Sequence, residues 1–163
     1  MLKSAVTIQQ LQQPLAQDKT IKTMALKSLF PEDMKDKMAA SGELSLESVA
    51  AKLTYFHEQL HLLHWQTSSY AEHQALGGLY DYVHDIKDEI IEKMMGYSGR
   101  KVKSFKIEPL SDTANPSMVV VDLINFASKL EEHAEANKMP DIENISQSLS
   151  GEAAKTKYLL TLS

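Results

Sequence analysis

The stretch that decides the fold is SLESVAAKLTYFHEQLHLLHWQ, residues 45–66. Its apolar residues recur at spacings of four, three, four and three, which is the pattern of a helix that buries one stripe. The stripe consists of Val49, Leu53, Phe56, Leu60 and Leu63. Ser45 suits an N-cap, because its hydroxyl can accept a hydrogen bond from a free amide of the first turn. The pattern therefore predicts a long bundle helix that begins at Ser45.

Three more helices are predicted downstream of this stretch. The second runs from Tyr70 to Tyr97, the third from Ser117 to about Lys138, and the fourth begins at Asp141, directly after Pro140. Their inward positions are predicted to be Leu76, Val83, Ile90 and Met94, then Val120, Leu123, Ala127, Leu130 and Ala134, then Ile142, Ile145, Leu149, Tyr158 and Leu159. Residues 98–116 contain glycine and two prolines and predict a long connection across the bundle. Two helices, a long crossover and two more helices form the connectivity of an all-α, ferritin-like four-helix bundle.

Length and composition limit the classes of protein to consider. The 163 residues predict one bundle domain over residues 45–163, preceded by an arm with short helical segments over residues 1–44. There is no cysteine, so disulfides, thiolate zinc sites and iron–sulfur clusters are excluded. A net charge of −5 argues against electrostatic binding of nucleic acid by the surface as a whole. Since no signal peptide or apolar run of ~20 residues is evident, we expect a cytoplasmic protein without a membrane partner.

Five of the six histidines lie within residues 57–84. On the first helix they flank the buried stripe, at His57, His61 and His64. On the second helix an arc of ~100° contains both imidazoles and carboxylates, which favours iron, manganese or zinc. The members of that arc are His73, Asp81, His84, Asp88 and Glu92. The alternative is a solvated, charge-rich face on which the histidines only form hydrogen bonds.

The segment His61–Gln66 resembles the His-Trp-Asn segment of Dps proteins, the DNA-protecting mini-ferritins, and His73 with the three residues after it resembles their His-Glu-x-Leu segment. The spacing then puts the family's aspartate and glutamate on Asp88 and Glu92. The resemblance implies an iron site shared between two copies, with His64 and His73 from one chain and the two carboxylates from the other. It also implies oxidation of iron by peroxide or oxygen and a homodimer or larger homo-oligomer.

The sequence departs from the Dps pattern in two places. Gly77 occupies the position of an aspartate ligand, and Asp81 or His84 could substitute for it. The connection 98–116 shows little sign of the short helix that Dps proteins pack at a dimer interface, so the family's twelve-subunit shell is not implied. For Trp65, packing at a subunit interface is favoured over a role as an electron sink beside the iron.

These observations lead to three competing hypotheses about function. The leading hypothesis is a Dps-like iron-binding ferroxidase that protects against iron and peroxide stress. The alternative is a ferritin-like scaffold without metal that acts as an interaction or ligand-sequestering protein, for example in a phage or mobile element, and Gly77 favours it. The third is nucleic-acid binding through the lysines of the arm, which neighbouring acidic residues argue against.

Overall fold

The computed structural model describes residues 44–162, which form four α-helices and a closing 3₁₀ turn, with no strand in that range. The elements are α1 (Leu46–Gln66), α2 (Tyr70–Ser98), α3 (Pro116–Ala136), α4 (Pro140–Leu159) and the turn Leu160–Leu162. Within that range no helix is long and apolar enough to cross a membrane. The predicted arm 1–44 lies outside the described residues, apart from Leu44. The all-α prediction with four helices is confirmed.

The helices begin and end where local chemistry requires. At α1 the Ser45 hydroxyl accepts from the Ser48 amide at 3.1 Å, and the Ser48 hydroxyl accepts from the Ser45 amide at 2.9 Å, which is a reciprocal capping box. Helix α2 ends at Ser98, and the residue after it, Gly99, has a left-handed φ of 64° that stops the helix. Helix α3 stops two residues short of the predicted Lys138, because that residue has a φ of 57° and cannot continue a helix.

The four helices pack as neighbours in the order α1, α2, α4, α3 around one core. Tyr97, near the end of α2, donates to the Asp141 carboxylate at the start of α4 over 2.6 Å, so α2 and α4 are antiparallel. The Phe56 and Phe126 ring centroids lie 5.7 Å apart and join α1 to α3. Helices α1 and α2 form one hairpin, and helices α3 and α4 form the other.

Residues 99–115 form the predicted long crossover, and they lie along α1. Near the start of α1, the Arg100 guanidinium donates to both Glu47 carboxylate oxygens over 2.6 and 2.8 Å. Further along α1, the buried Gln59 amide donates to the Ser111 carbonyl and accepts from the Ser111 amide, both over 2.8 Å. The crossover therefore carries the chain from one end of α1 toward the other, so that α3 runs antiparallel to α1.

The inward stripes predicted from the sequence are confirmed for the first three helices. In α4, Ile142 and Leu149 are buried, and Ile145 and Leu159 pack against the core. Tyr158 was predicted to face inward, and that prediction is wrong, since the residue is 62% exposed. At about 100° per residue, position 158 lies half a turn from Leu149, whereas the buried Ala153 and Thr156 lie on the same side as Leu149.

The ion pair at the start of α1 predicts a specific acid response. The Arg100 guanidinium, helped by the Lys103 amide, lowers the pKa of Glu47 to about 2. A carboxyl whose pKa falls on folding stabilises the protein at every pH above the pKa that the carboxyl has in the unfolded chain. That stabilisation is lost as the pH drops toward 2. We expect Glu47→Gln to flatten the fall in unfolding free energy between about pH 4.5 and pH 2, measured by urea titration at each pH. Glu132→Gln, at an exposed residue of α3, should leave the slope unchanged.

Candidate functional site

One surface of the α1–α2 hairpin gathers imidazole rings from both helices. We call it the histidine face, and it consists of His57, His61, His64, His73, Tyr80 and His84. Ring centroids are 3.8 Å apart for His64 and His73 and 4.3 Å apart for His61 and Tyr80. Imidazole rings from α1 and α2 therefore pack against one another on this face.

The tightest contact on the histidine face is the pair His64 and His73. The Nδ1 atom of His64 lies 2.8 Å from the His73 carbonyl oxygen, and the Nδ1 atom of His73 lies 3.0 Å from the His64 carbonyl oxygen. A carbonyl can only accept, so each Nδ1 carries the proton and donates. In a neutral imidazole this assignment leaves the lone pair on Nε2. Both rings are thus held in the tautomer that offers Nε2 to a ligand.

The same pair also closes the corner between α1 and α2. The His64 carbonyl belongs to the last turn of α1, where carbonyls have no partner within the helix. The His73 ring supplies the missing donor. The Thr67 hydroxyl adds a bond to the Glu72 carboxylate over 2.9 Å. His64 and His73 therefore have a structural role in this corner whether or not they bind a metal.

Gly77 makes room for the His64 ring. A Cβ atom at position 77 would lie 3.2 Å from Cε1 and 3.3 Å from Nδ1 of His64, which is tighter than most real contacts. Gly78 has no comparable neighbour, since nothing lies within 4 Å of its hypothetical Cβ. The helix-weakening glycine at 77 is thus explained by close packing of an imidazole against α2.

This packing makes the glycine pair a matched test. We expect Gly77→Val to push the His64 ring away, separate the stacked imidazoles and lower the free energy of unfolding by about 1–3 kcal/mol. Gly78→Val should cost nothing, because valine has the higher helix propensity and meets no neighbour. Urea unfolding gives the stability, and the imidazole NH signals in NMR report the two hydrogen bonds. Equal stability of the two variants would contradict the packing argument.

The predicted carboxylate ligands lie further along α2. Asp88 and Glu92 are exposed, are one turn apart, and form no hydrogen bond or ion pair with a described residue. Asp88 is fifteen residues from His73, a separation of about 22 Å along the helix axis. One chain therefore cannot bring the four predicted ligands to one ion. In agreement, residues 44–162 contain no group of three or more His, Asp or Glu side chains placed to hold a metal.

The two suggested substitutes for the missing aspartate are also remote from the histidine pair within one chain. Asp81 is about 12 Å and His84 about 16 Å from His73 along the axis of α2. His84 instead lies beside His57, with ring centroids 5.2 Å apart. Asp81 is exposed. Within one chain, neither residue can therefore supply the aspartate ligand whose position Gly77 occupies.

His57 has a distinct environment on this face. Its Nδ1 atom lies 3.0 Å from a carboxylate oxygen of Glu58, and its side chain is only 13% exposed. Burial lowers the pKa of His57, and the nearby Lys87 and His84 lower it further, whereas Glu58 acts in the opposite direction. The largest of these effects, burial, therefore favours the neutral form of the ring.

Exposed aromatic residues border the histidine face at the hairpin corner. The Trp65 side chain is 67% exposed, and its ring centroid lies 4.0 Å from that of His61. Tyr70 is 77% exposed. The two roles considered for Trp65, interface anchor and electron sink, both remain predictions.

Sequence reasoning did not single out two residues that organise this region. Tyr80 lies at the centre of the histidine face and contacts three histidine rings. Gln59 is fully buried and binds the crossover. Nothing in the sequence clearly indicated the burial of Gln59. A glutamine next to Leu60 of the buried stripe is ordinarily exposed to solvent, and only the position of the crossover explains why this one is buried.

The chain matches a protein family to which no activity is assigned. A family model described as a family of unknown function, DUF5856, matches residues 64–160. The chain is also 27% identical over 115 residues to an uncharacterized 14.6 kDa protein of the mobD-ri intergenic region of Enterobacteria phage T4, a match covering 69% of this chain and 81% of that protein. No solved structure matches the chain. Since the family match spans more than half of its residues, the chain belongs to the DUF5856 family of unknown function.

Proposed function

We propose that the protein is a divergent ferritin-like protein of the Dps type, which binds ferrous iron between two copies of the chain and promotes its oxidation. The observation that carries the proposal is the pair His64 and His73, whose Nδ1 atoms both donate to backbone carbonyls. Metal-binding histidines commonly donate their other ring N–H to a carbonyl or carboxylate, which fixes the tautomer and orients the ring. Both His64 and His73 have that arrangement.

The position of the carboxylates supports a site made by two chains. Along α2, His73 and Asp88 are about 22 Å apart, and the midpoint falls between Tyr80 and Asp81. A two-fold axis at that level, perpendicular to α2, would bring His64 and His73 against the partner's Asp88 and the partner's Glu92. Such an interface is self-complementary, as a two-fold dimer requires, and it would form the site twice.

The connectivity also supports the proposal. All four neighbouring helix pairs are antiparallel, and one long crossover joins the two hairpins, which is the arrangement of ferritin-like bundles. Exposed Trp65 next to the histidine face offers the large aromatic contact that interfaces favour. Imidazole and carboxylate ligands suit ferrous iron, and manganese or zinc would also be accepted.

In the proposed reaction iron is the substrate. Two ferrous ions each give one electron to a peroxide molecule, which takes up two protons, breaks its O–O bond and leaves as two waters. In this proposal the residues of the two chains bind and position the ions, and Glu92 is one of the carboxylates that would hold them. Because both chains contribute ligands, iron affinity should increase with dimerisation.

The direct test is anaerobic titration with ferrous iron together with the molar mass in solution from light scattering. We expect the wild-type chain to bind iron as a dimer or larger assembly, and Glu92→Gln to weaken binding at least about tenfold while the helix content stays constant. Glu135→Gln, at an exposed residue of α3, is the matched control and should bind normally. A chain that stays monomeric in the presence of iron, or takes up none, would end the proposal.

A second candidate function is a metal-free scaffold that binds another macromolecule or a ligand. It is favoured by the corner role of His64 and His73, which needs no metal, and by the likeness to an uncharacterized phage T4 protein, which suits a phage-encoded role. The metal content of the purified protein separates the two candidates. Iron that remains bound through dialysis supports the first, and its absence after anaerobic loading supports the second.

A further inference from the structure

His57 and His84 form a second pair of imidazoles that the proposed iron site does not use. They come from different helices, and their ring centroids are 5.2 Å apart with an angle of 42° between the ring planes. Two imidazoles that bind one tetrahedral ion, with N–metal distances of about 2.0–2.1 Å, have centroids about 5 Å apart. The observed spacing is therefore one at which both rings can bind the same ion.

The two rings are prepared for binding in different ways. His57 is mostly buried, and its Nδ1 donates to the Glu58 carboxylate, so its Nε2 holds the lone pair. His84 is exposed and forms no hydrogen bond with a described residue, so either nitrogen can turn toward an ion. A fixed ligand on α1 thus faces an adjustable ligand on α2.

The charges around the pair have opposing effects. Burial lowers the pKa of His57, which favours the neutral imidazole that binds metal. Glu58 supplies a negative charge on α1 and makes His57 a better ligand. Lys87 contributes a positive charge from α2 and disfavours a dication. Its removal should therefore strengthen metal binding.

We propose that His57 and His84 bind a zinc ion, with water completing the coordination, and that this ion links α1 to α2 as a clip within one chain. Zinc accepts neutral imidazole and a tetrahedral set that includes water. The inference does not rest on the proposed iron site. The two sites differ in one measurable respect: both zinc ligands belong to the same chain, so zinc affinity does not depend on protein concentration.

The test is thermal unfolding of the full chain with zinc chloride, compared with magnesium chloride. We expect zinc at about a hundred times its dissociation constant to raise Tm by roughly 8 °C, and magnesium to have no effect. In the Glu92→Gln background, which removes a ligand of the proposed iron site, His84→Gln should abolish the shift, and since His84 is exposed the variant should fold normally. His133→Gln, on α3, is the matched control, and it and Glu92→Gln should retain a shift. Lys87→Gln should lower the zinc concentration needed severalfold.

Three results would overturn the inference. The first is a zinc shift that survives His84→Gln in the Glu92→Gln background, which would place the ion elsewhere. The second is a shift that disappears in Glu92→Gln alone, which would assign the ion to the proposed iron site. The third is an absence of any zinc effect on the wild-type chain. Ferrous iron binding by two chains is measured separately, by the molar mass and the iron titration.

Discussion

Gln59→Ala is expected to lower the free energy of unfolding by about 3 kcal/mol. Gln59 is fully buried, and its amide forms two hydrogen bonds with the backbone of Ser111. The substitution removes both bonds and leaves a cavity where the side chain packed. The Ser111 amide and carbonyl would then have to find water, so the crossover should detach locally from α1.

Urea unfolding measures the loss, and hydrogen exchange at the Ser111 amide measures the detachment. Gln74→Ala is the matched control, because Gln74 is an exposed helical glutamine on α2 without a described partner. Its cost should stay within about 0.5 kcal/mol. A similar small cost for Gln59→Ala would mean that the contact with Ser111 contributes little to the fold.

The second large effect is expected from mixing two inactive variants. One variant replaces both proposed imidazole ligands, as His64→Gln and His73→Gln, and the other replaces both carboxylates, as Asp88→Asn and Glu92→Gln. Each alone should bind no iron at the proposed site. In a mixed dimer, the intact histidines of the second variant meet the intact carboxylates of the first, so one complete site forms.

Random exchange of subunits makes about half of the dimers mixed, with one complete site in each, so about a quarter of the wild-type iron sites should return. The measurement is ferrous iron bound per chain after the two variants are unfolded together and refolded. Variants refolded separately and then combined without exchange are the control. If binding stays at zero in the co-refolded sample, the two pairs of ligands do not meet across an interface.

The sequence allowed most of the fold to be predicted, because the information is local. Heptad-like spacing identified the buried stripe of α1, and Ser45 identified its start. The prediction for Tyr158 was wrong because nine residues of helix turn its side chain to the opposite side from Leu149, where it faces solvent. The path of the crossover along α1 could not be predicted, since it depends on Gln59 meeting a backbone segment far away in sequence.

The candidate site could be predicted from the sequence only in part. The concentration of histidines showed that α1 and α2 share a polar face, and the structure brings five of them together. Helical spacing alone could not show that His64 and His73 donate to each other's backbone, because this depends on the short corner between the helices. It also could not show that Gly77 accommodates an imidazole. Whether Asp88 and Glu92 complete a metal site depends on a second chain.

The crossover has a consequence for the kinetics of folding. Each helical hairpin is built from neighbours in sequence, whereas the contact of Tyr97 with Asp141, which joins the hairpins, spans 44 residues, and the contact of Gln59 with Ser111, which joins α1 to the crossover, spans 52. Short-range contacts form early because they close small loops, and long-range contacts follow. We therefore expect the hairpins to precede their docking, so that loosening the crossover accelerates unfolding in stopped-flow experiments and leaves the refolding rate nearly constant.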